Sequence, residues 1–67
     1  MSGVVRDRPV FVVYRLSLSR KWSWRLESRN GLQIACAYND YTRRRDCLRA
    51  IDTVLLAIFD ADIEAEK

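Results

Sequence analysis

Trp22-Ser23-Trp24-Arg25-Leu26-Glu27-Ser28, followed at once by Arg29-Asn30-Gly31, is the stretch on which the fold turns. Large apolar side chains alternate with polar ones, the period of a strand with one face covered and one face wet. Asn30-Gly31 is a strong turn signal, because both residues accept positive φ cheaply. A partner strand is therefore expected to fold back from Leu32 to Tyr38. Two registers compete for it. A two-residue Asn-Gly loop sets Leu26 against Ala35. A three-residue loop, Arg29 to Gly31 with a left-handed Gly31 beside a bulge, sets Leu26 against Ile34 and Trp24 against Cys36. Burying like with like favours the second.

Upstream, Val10 to Leu16 is rich in β-branched and aromatic residues, which suit a pleated surface. It predicts a first strand, joined to Trp22 by the polar run Ser17 to Lys21. Residues 1–9 form a short polar lead, with order beginning near Pro9, and residues 10–67 form one domain. Downstream, Asn39-Asp40-Tyr41-Thr42 breaks the pattern and offers Thr42 as an N-cap. From Arg43 the apolar positions Cys47, Leu48, Ile51, Val54, Leu55 and Ile58 recur at spacings of three and four, the signature of a helix with one wet face. After Phe59, acids occupy every second position: Asp60, Asp62, Glu64 and Glu66. Acids in the last turns of a helix oppose its dipole. A short fourth strand is thus at least as good an expectation there as continued helix. The fold class is α+β: a three-stranded antiparallel sheet packed on one helix, with a short C-terminal strand.

The chain has 67 residues, 49% of them hydrophobic and 31% charged, with two glycines and one proline. That composition specifies one folded domain and not a linker. No apolar run reaches the roughly 20 residues of a membrane span, and residues 1–8 lack the apolar core of a secretory signal. The expectation is a cytoplasmic protein with no membrane partner. Cys36 and Cys47 are too few for a disulfide framework and are expected to be reduced and buried.

Phe11-Val12-Val13-Tyr14, Trp22-Ser23-Trp24-Arg25-Leu26, Asn30-Gly31 with Ile34-Ala35, Tyr41, and Ile51 with Val54 together resemble the YegP-like family of small domains of unknown function. The resemblance spans Phe11 to the C-terminus. Its most specific part is the Trp-x-Trp-Arg-Leu strand a few residues before Asn-Gly. Two positions depart from the family pattern: Asp40 stands where a Gly usually precedes the Tyr, and Cys36-Ala37-Tyr38 replaces a Ser-rich stretch. Asp tolerates a left-handed backbone better than most residues, whereas the second change removes hydroxyls. The resemblance implies a βββαβ unit, present as tandem repeats or as two subunits that share a sheet and exchange C-terminal strands. One unit is present here, so the implied form is a homodimer. The family brings no enzymatic activity, cofactor or catalytic residue.

The residues support self-association by a separate route. A chain this short buries only about 60% of the surface its unfolded form exposes. One helix covers one face of the sheet, expected to hold Phe11, Val13, Trp22, Trp24, Leu26, Ile34 and Cys36. The other face keeps Val10, Val12, Tyr14, Leu16, Ala35 and Ala37 beside Arg25, Glu27 and Gln33. On the helix, Leu56 and Phe59, with Ile63 beyond them, form a second apolar stripe. The expected dimer interface is therefore Val12, Tyr14, Ala35, Ala37, Leu56, Phe59 and Ile63. Charge adds orientation. Residues 1–49 hold 11 basic and 4 acidic side chains, and residues 50–67 hold 1 and 5. An acidic tail crossing to a partner would reach Arg43, Arg44 or Arg45, although such surface pairs contribute only about 0 to 1 kcal/mol each.

Catalytic chemistry finds little purchase. With no His, Ser-His, Cys-His and His-metal arrangements are excluded. Cys36 is expected to point inward, where a thiol is inert. Asp60 and Asp62 have no apolar pocket to raise a carboxyl pKa. Gly3 and Gly31 make no phosphate loop. No enzyme and no cofactor are expected. The alternative is a nucleic-acid-binding module using Arg43, Arg44, Arg45, Arg49 and Arg25, with Tyr14 or Tyr38 for stacking. Arg outnumbers Lys ten to two, which suits phosphate forks.

Overall fold

The computed structural model describes residues 6–65. Three strands, β1 (Val10–Arg15), β2 (Trp22–Glu27) and β3 (Gln33–Cys36), form an antiparallel sheet in the order β1-β2-β3, and one helix, α1 (Arg44–Asp60), follows. The fold is α+β, as the alternation and the helical spacing require. Val13 pairs with Trp24 and Phe11 with Leu26, so the apolar members of both strands share one face. The helix covers that face through Cys47 and Ile51, which bury against Trp24. Phe11 meets Trp24 edge to face at 5.4 Å between ring centroids. Around this centre pack Val13, Trp22, Leu26, Ala37, Tyr41 and Val54.

The β2–β3 connection follows the three-residue form. Ser28 N–H donates to the Leu32 carbonyl at 2.8 Å, Gly31 N–H returns to the Ser28 carbonyl, and Gly31 has φ 88°. The register beyond it differs from expectation. Glu27 pairs with Gln33, but Leu26 pairs with Ala35 and Arg25 with Cys36, because a bulge falls between Leu26 and Glu27. Ile34 is the extra residue and is exposed. The bulge changes which residue reaches the core. With the bulge, Ala35 joins the face of Leu26, and Ala37 packs on the core beside Trp24, its N–H donating to the Trp24 carbonyl. β3 itself is exposed along its length, since α1 lies over β2 and β1, and Ala37, just past the strand, is the residue that gains the core.

Three local expectations change as well. Arg6, ahead of Pro9, is already tied down: its N–H donates to the Arg29 carbonyl and its guanidinium binds Glu27. The N-cap of α1 is Arg43 and not Thr42, in extended conformation and without a side-chain cap bond. The helix stops at Asp60, where Ala61 turns extended at φ −73°, ψ 134°, in keeping with a tail too acidic for a helix C-terminus. Residues 61–65 form no strand within one chain.

Candidate functional site

Three surfaces carry the unusual features of the molecule. The first is the C-terminal half of α1. Leu55, Leu56, Ile58 and Phe59 are exposed there, Phe59 at 89%, and Ile63 in the tail is fully exposed. The expected apolar stripe is therefore only partly used. Cys47, Ile51 and Val54 reach the core, while Leu55 and Ile58 extend past it, because β3 is only four residues long and the helix lies over β2 and β1.

The second surface is the sheet face away from the helix. Val12, Tyr14 and Arg25 lie on it in adjoining registers, with Cys36 across from Arg25. Ala35 and Ala37, expected here, lie instead on the face of Leu26 and Trp24, Ala35 exposed and Ala37 packed on the core; Val12 and Tyr14 lie where expected. A small ionic network occupies this face. Arg25 Nε donates to Glu27 Oε2 at 2.6 Å, Arg6 donates to Glu27 Oε1 at 2.9 Å, and the Arg25 guanidinium stacks 5.0 Å from the Tyr14 ring centroid. The Arg25 hydrogen bond, then that of Arg6, holds the Glu27 carboxyl below the usual carboxylate range. The same bond raises the Arg25 guanidinium. Arg25 is thus committed to a carboxylate and an aromatic ring. Tyr14 has one face occupied.

The two cysteines part company. Cys47 is fully buried, and burial pushes its thiol up. Cys36 is exposed on the uncovered face, contrary to the inward orientation expected of it. The bulge at Ile34 reverses its parity.

The third surface is the end of the molecule where the β1–β2 hairpin meets the start of α1. Trp22 and Tyr41 exchange backbone hydrogen bonds of 2.6 and 2.8 Å, drawing the chain ahead of the helix against β2. Arg15 and Arg44 both lie over the Trp22 ring, at 5.5 and 5.9 Å from its centroid. Arg15 Nε also donates to the Arg20 carbonyl. These residues are far apart in sequence; the fold brings them together around one indole. Arg20 itself has φ 65°, a left-handed position that glycine would occupy at lower cost. Arg43, Arg44 and Arg45 are exposed, and Arg49 lies a turn further along the helix, also exposed.

The acidic tail is at the other end of the 17-residue helix, about 25 Å away at 1.5 Å per residue. Asp60, Asp62 and Glu64 make no ion pair with these arginines within one chain; among the described residues the ion pairs are those of Glu27 with Arg6 and Arg25. Among the described residues no three Cys, Asp or Glu side chains gather to hold a metal ion, and no helix is long and apolar enough to cross a membrane. Comparison with known proteins finds no matching family model, no matching curated relative and no matching solved structure.

Proposed function

We propose that this chain is a non-enzymatic self-assembly module of YegP-like type, working in the cytoplasm as a homodimer whose copies cover each other's apolar helix ends and exchange their C-terminal segments. One observation carries it: Leu55, Leu56, Ile58 and Phe59 are exposed at the end of α1, and Ile63 is exposed in the tail just beyond it. Full burial of such a side chain is worth about 1.5–3 kcal/mol, and association costs about 4–15 kcal/mol. A single patch roughly matches that cost. A two-fold axis uses the patch twice, once from each copy, and so leaves a surplus.

The tail supports the same reading. It leaves the helix extended, carries Ile63 outward and makes no ion pair among the described residues, so a partner would give Ile63 an apolar seat. Pairing it with an exposed strand would also protect a sheet edge.

Light scattering on the chromatographed protein at micromolar concentration tests this. The expected mass is that of two chains, and Leu56→Asp with Phe59→Asp is expected to give one chain with an unchanged circular dichroism spectrum. A parent protein that elutes as one chain would overturn the proposal. A dimer that survives deletion of residues 60–67 would remove only the exchanged segment from it.

A further inference from the structure

The hairpin end of the molecule lies apart from the apolar helix end and asks for a different occupant. Residues 15–22 and 38–46 bring six cations to it, Arg15, Arg20, Lys21, Arg43, Arg44 and Arg45, against two carboxylates, Asp40 and Asp46. Arg15 and Arg44 lie on Trp22 and make the floor. Arg20, Lys21, Arg43 and Arg45 are exposed around that floor and are in no ion pair among the described residues. Arginines at a helix N-terminus are held against the dipole, an arrangement an anionic ligand would relieve.

A second feature narrows the class of anion. Tyr38 lies in the loop that leads from Ala37, beside Trp24, to Tyr41, beside Trp22, and it is 97% exposed. Among the described residues no guanidinium lies over its ring, unlike those of Tyr14 and Trp22. A ligand with repeated negative charge and an unstacked planar group satisfies both features, and single strands are bound by this combination of cationic track and aromatic platform. An acidic peptide would use the cations and leave the ring idle. A duplex keeps its bases stacked.

We propose that this end binds single-stranded nucleic acid, the phosphodiester backbone crossing Arg20, Lys21, Arg43 and Arg45 while one base stacks on Tyr38. Arg25 and Arg49 are not part of it: Arg25 is bound to Glu27 on the uncovered sheet face, and Arg49 lies a turn further along α1.

Fluorescence anisotropy with a fluorescein-labelled oligothymidine tests the proposal. Binding is expected at about 50 mM salt and should weaken with a log–log slope of about −3, as release of counterions by four cations predicts. The variant R20Q/K21Q/R43Q/R45Q, which changes only exposed side chains, should lose at least about tenfold in affinity and most of that slope. Tyr38→Ala should lose roughly tenfold and keep the slope. Circular dichroism and light scattering on each variant separate loss of the site from loss of fold or of assembly. Full affinity in the fourfold variant would overturn the proposal, as would unchanged binding by Tyr38→Ala or a preference for duplex over the single strand. Absence of binding that is restored by D60N/D62N/E64Q would assign the cations to a partner's tail instead.

Discussion

The two halves of α1 both carry apolar side chains, the second more of them, and meet opposite fates. In the first half Cys47 and Ile51 are buried against Trp24, at 0% and 7% exposure; in the second, Leu55, Leu56, Ile58 and Phe59 stand open. Propensity does not separate them, since both halves are well-formed helix. What differs is the surface opposite. The first half lies over Trp24 and its neighbours; the second continues beyond that core. A helix pattern states how much apolar surface must be covered, and the rest of the fold decides how much of it one chain can cover.

Substitutions in the two halves should therefore behave as different kinds of event. Ile51→Ala removes a buried side chain from a core of few members and is expected to cost about 2–5 kcal/mol. In so small a domain that shift should be visible as a large drop in the urea midpoint, at any protein concentration. An unchanged midpoint would mean that the first half of the helix is not seated as described.

Thiol reactivity draws the same contrast. Cys36, exposed on the uncovered face, should react with a thiol reagent at close to the rate of an unfolded control. Cys47 should react about a hundredfold or more slowly, because it must wait for the helix to open. Equal rates would contradict the bulged register, since the unbulged one turns Cys36 to the face of Trp24.

Phe59→Ala sharpens the comparison from the other end. In dilute protein it should leave unfolding within about 0.5 kcal/mol of the parent, as for exposed sites generally. Self-association should weaken at least about tenfold, measured by sedimentation equilibrium, because an interface aromatic is a frequent anchor.

The smallest effect belongs to the uncovered sheet face. Glu27 is held below its ordinary range by Arg25 and Arg6, so its folded pKa is depressed. The stabilisation it gives is complete above the ordinary glutamate value of about 4.3 and is lost as pH falls through the lowered folded value. Acid unfolding of Glu27→Gln should lack that part of the descent, and the same small stabilisation should be missing at neutral pH. An identical acid limb in the variant would remove the pair from the stability of the protein.

Most of the architecture was legible in local residues. Period-two alternation at Trp22 to Glu27, the Asn-Gly turn and the spacing of Cys47, Ile51 and Val54 each report on their own neighbourhood, and each element lies where they indicate. The left-handed Gly31 was legible for the same reason. The bulge at Ile34 was not. It brings Ala37 to the core beside Trp24 while β3 itself stays exposed, and no local feature of Leu32 to Tyr38 carries that information. Its consequence was a reversed parity for Ala35, Cys36 and Ala37. The gathering of Arg15 and Arg44 on Trp22 was likewise hidden, because the two arginines are far apart in sequence and meet only through the Trp22–Tyr41 pairing. The pairing of Arg25 with Glu27 had a visible clue: residues two apart on a strand share a face.

Amide hydrogen exchange along α1, followed as a function of protein concentration, tests the central claim most directly. The amides around Cys47 to Ile51 should exchange slowly throughout. Those around Leu55 to Phe59 should be slow in concentrated protein and become fast on dilution, as two copies that cover each other come apart. Rapid exchange at Leu55 to Phe59 at every concentration would mean that this end of the helix stays bare, and would contradict the account.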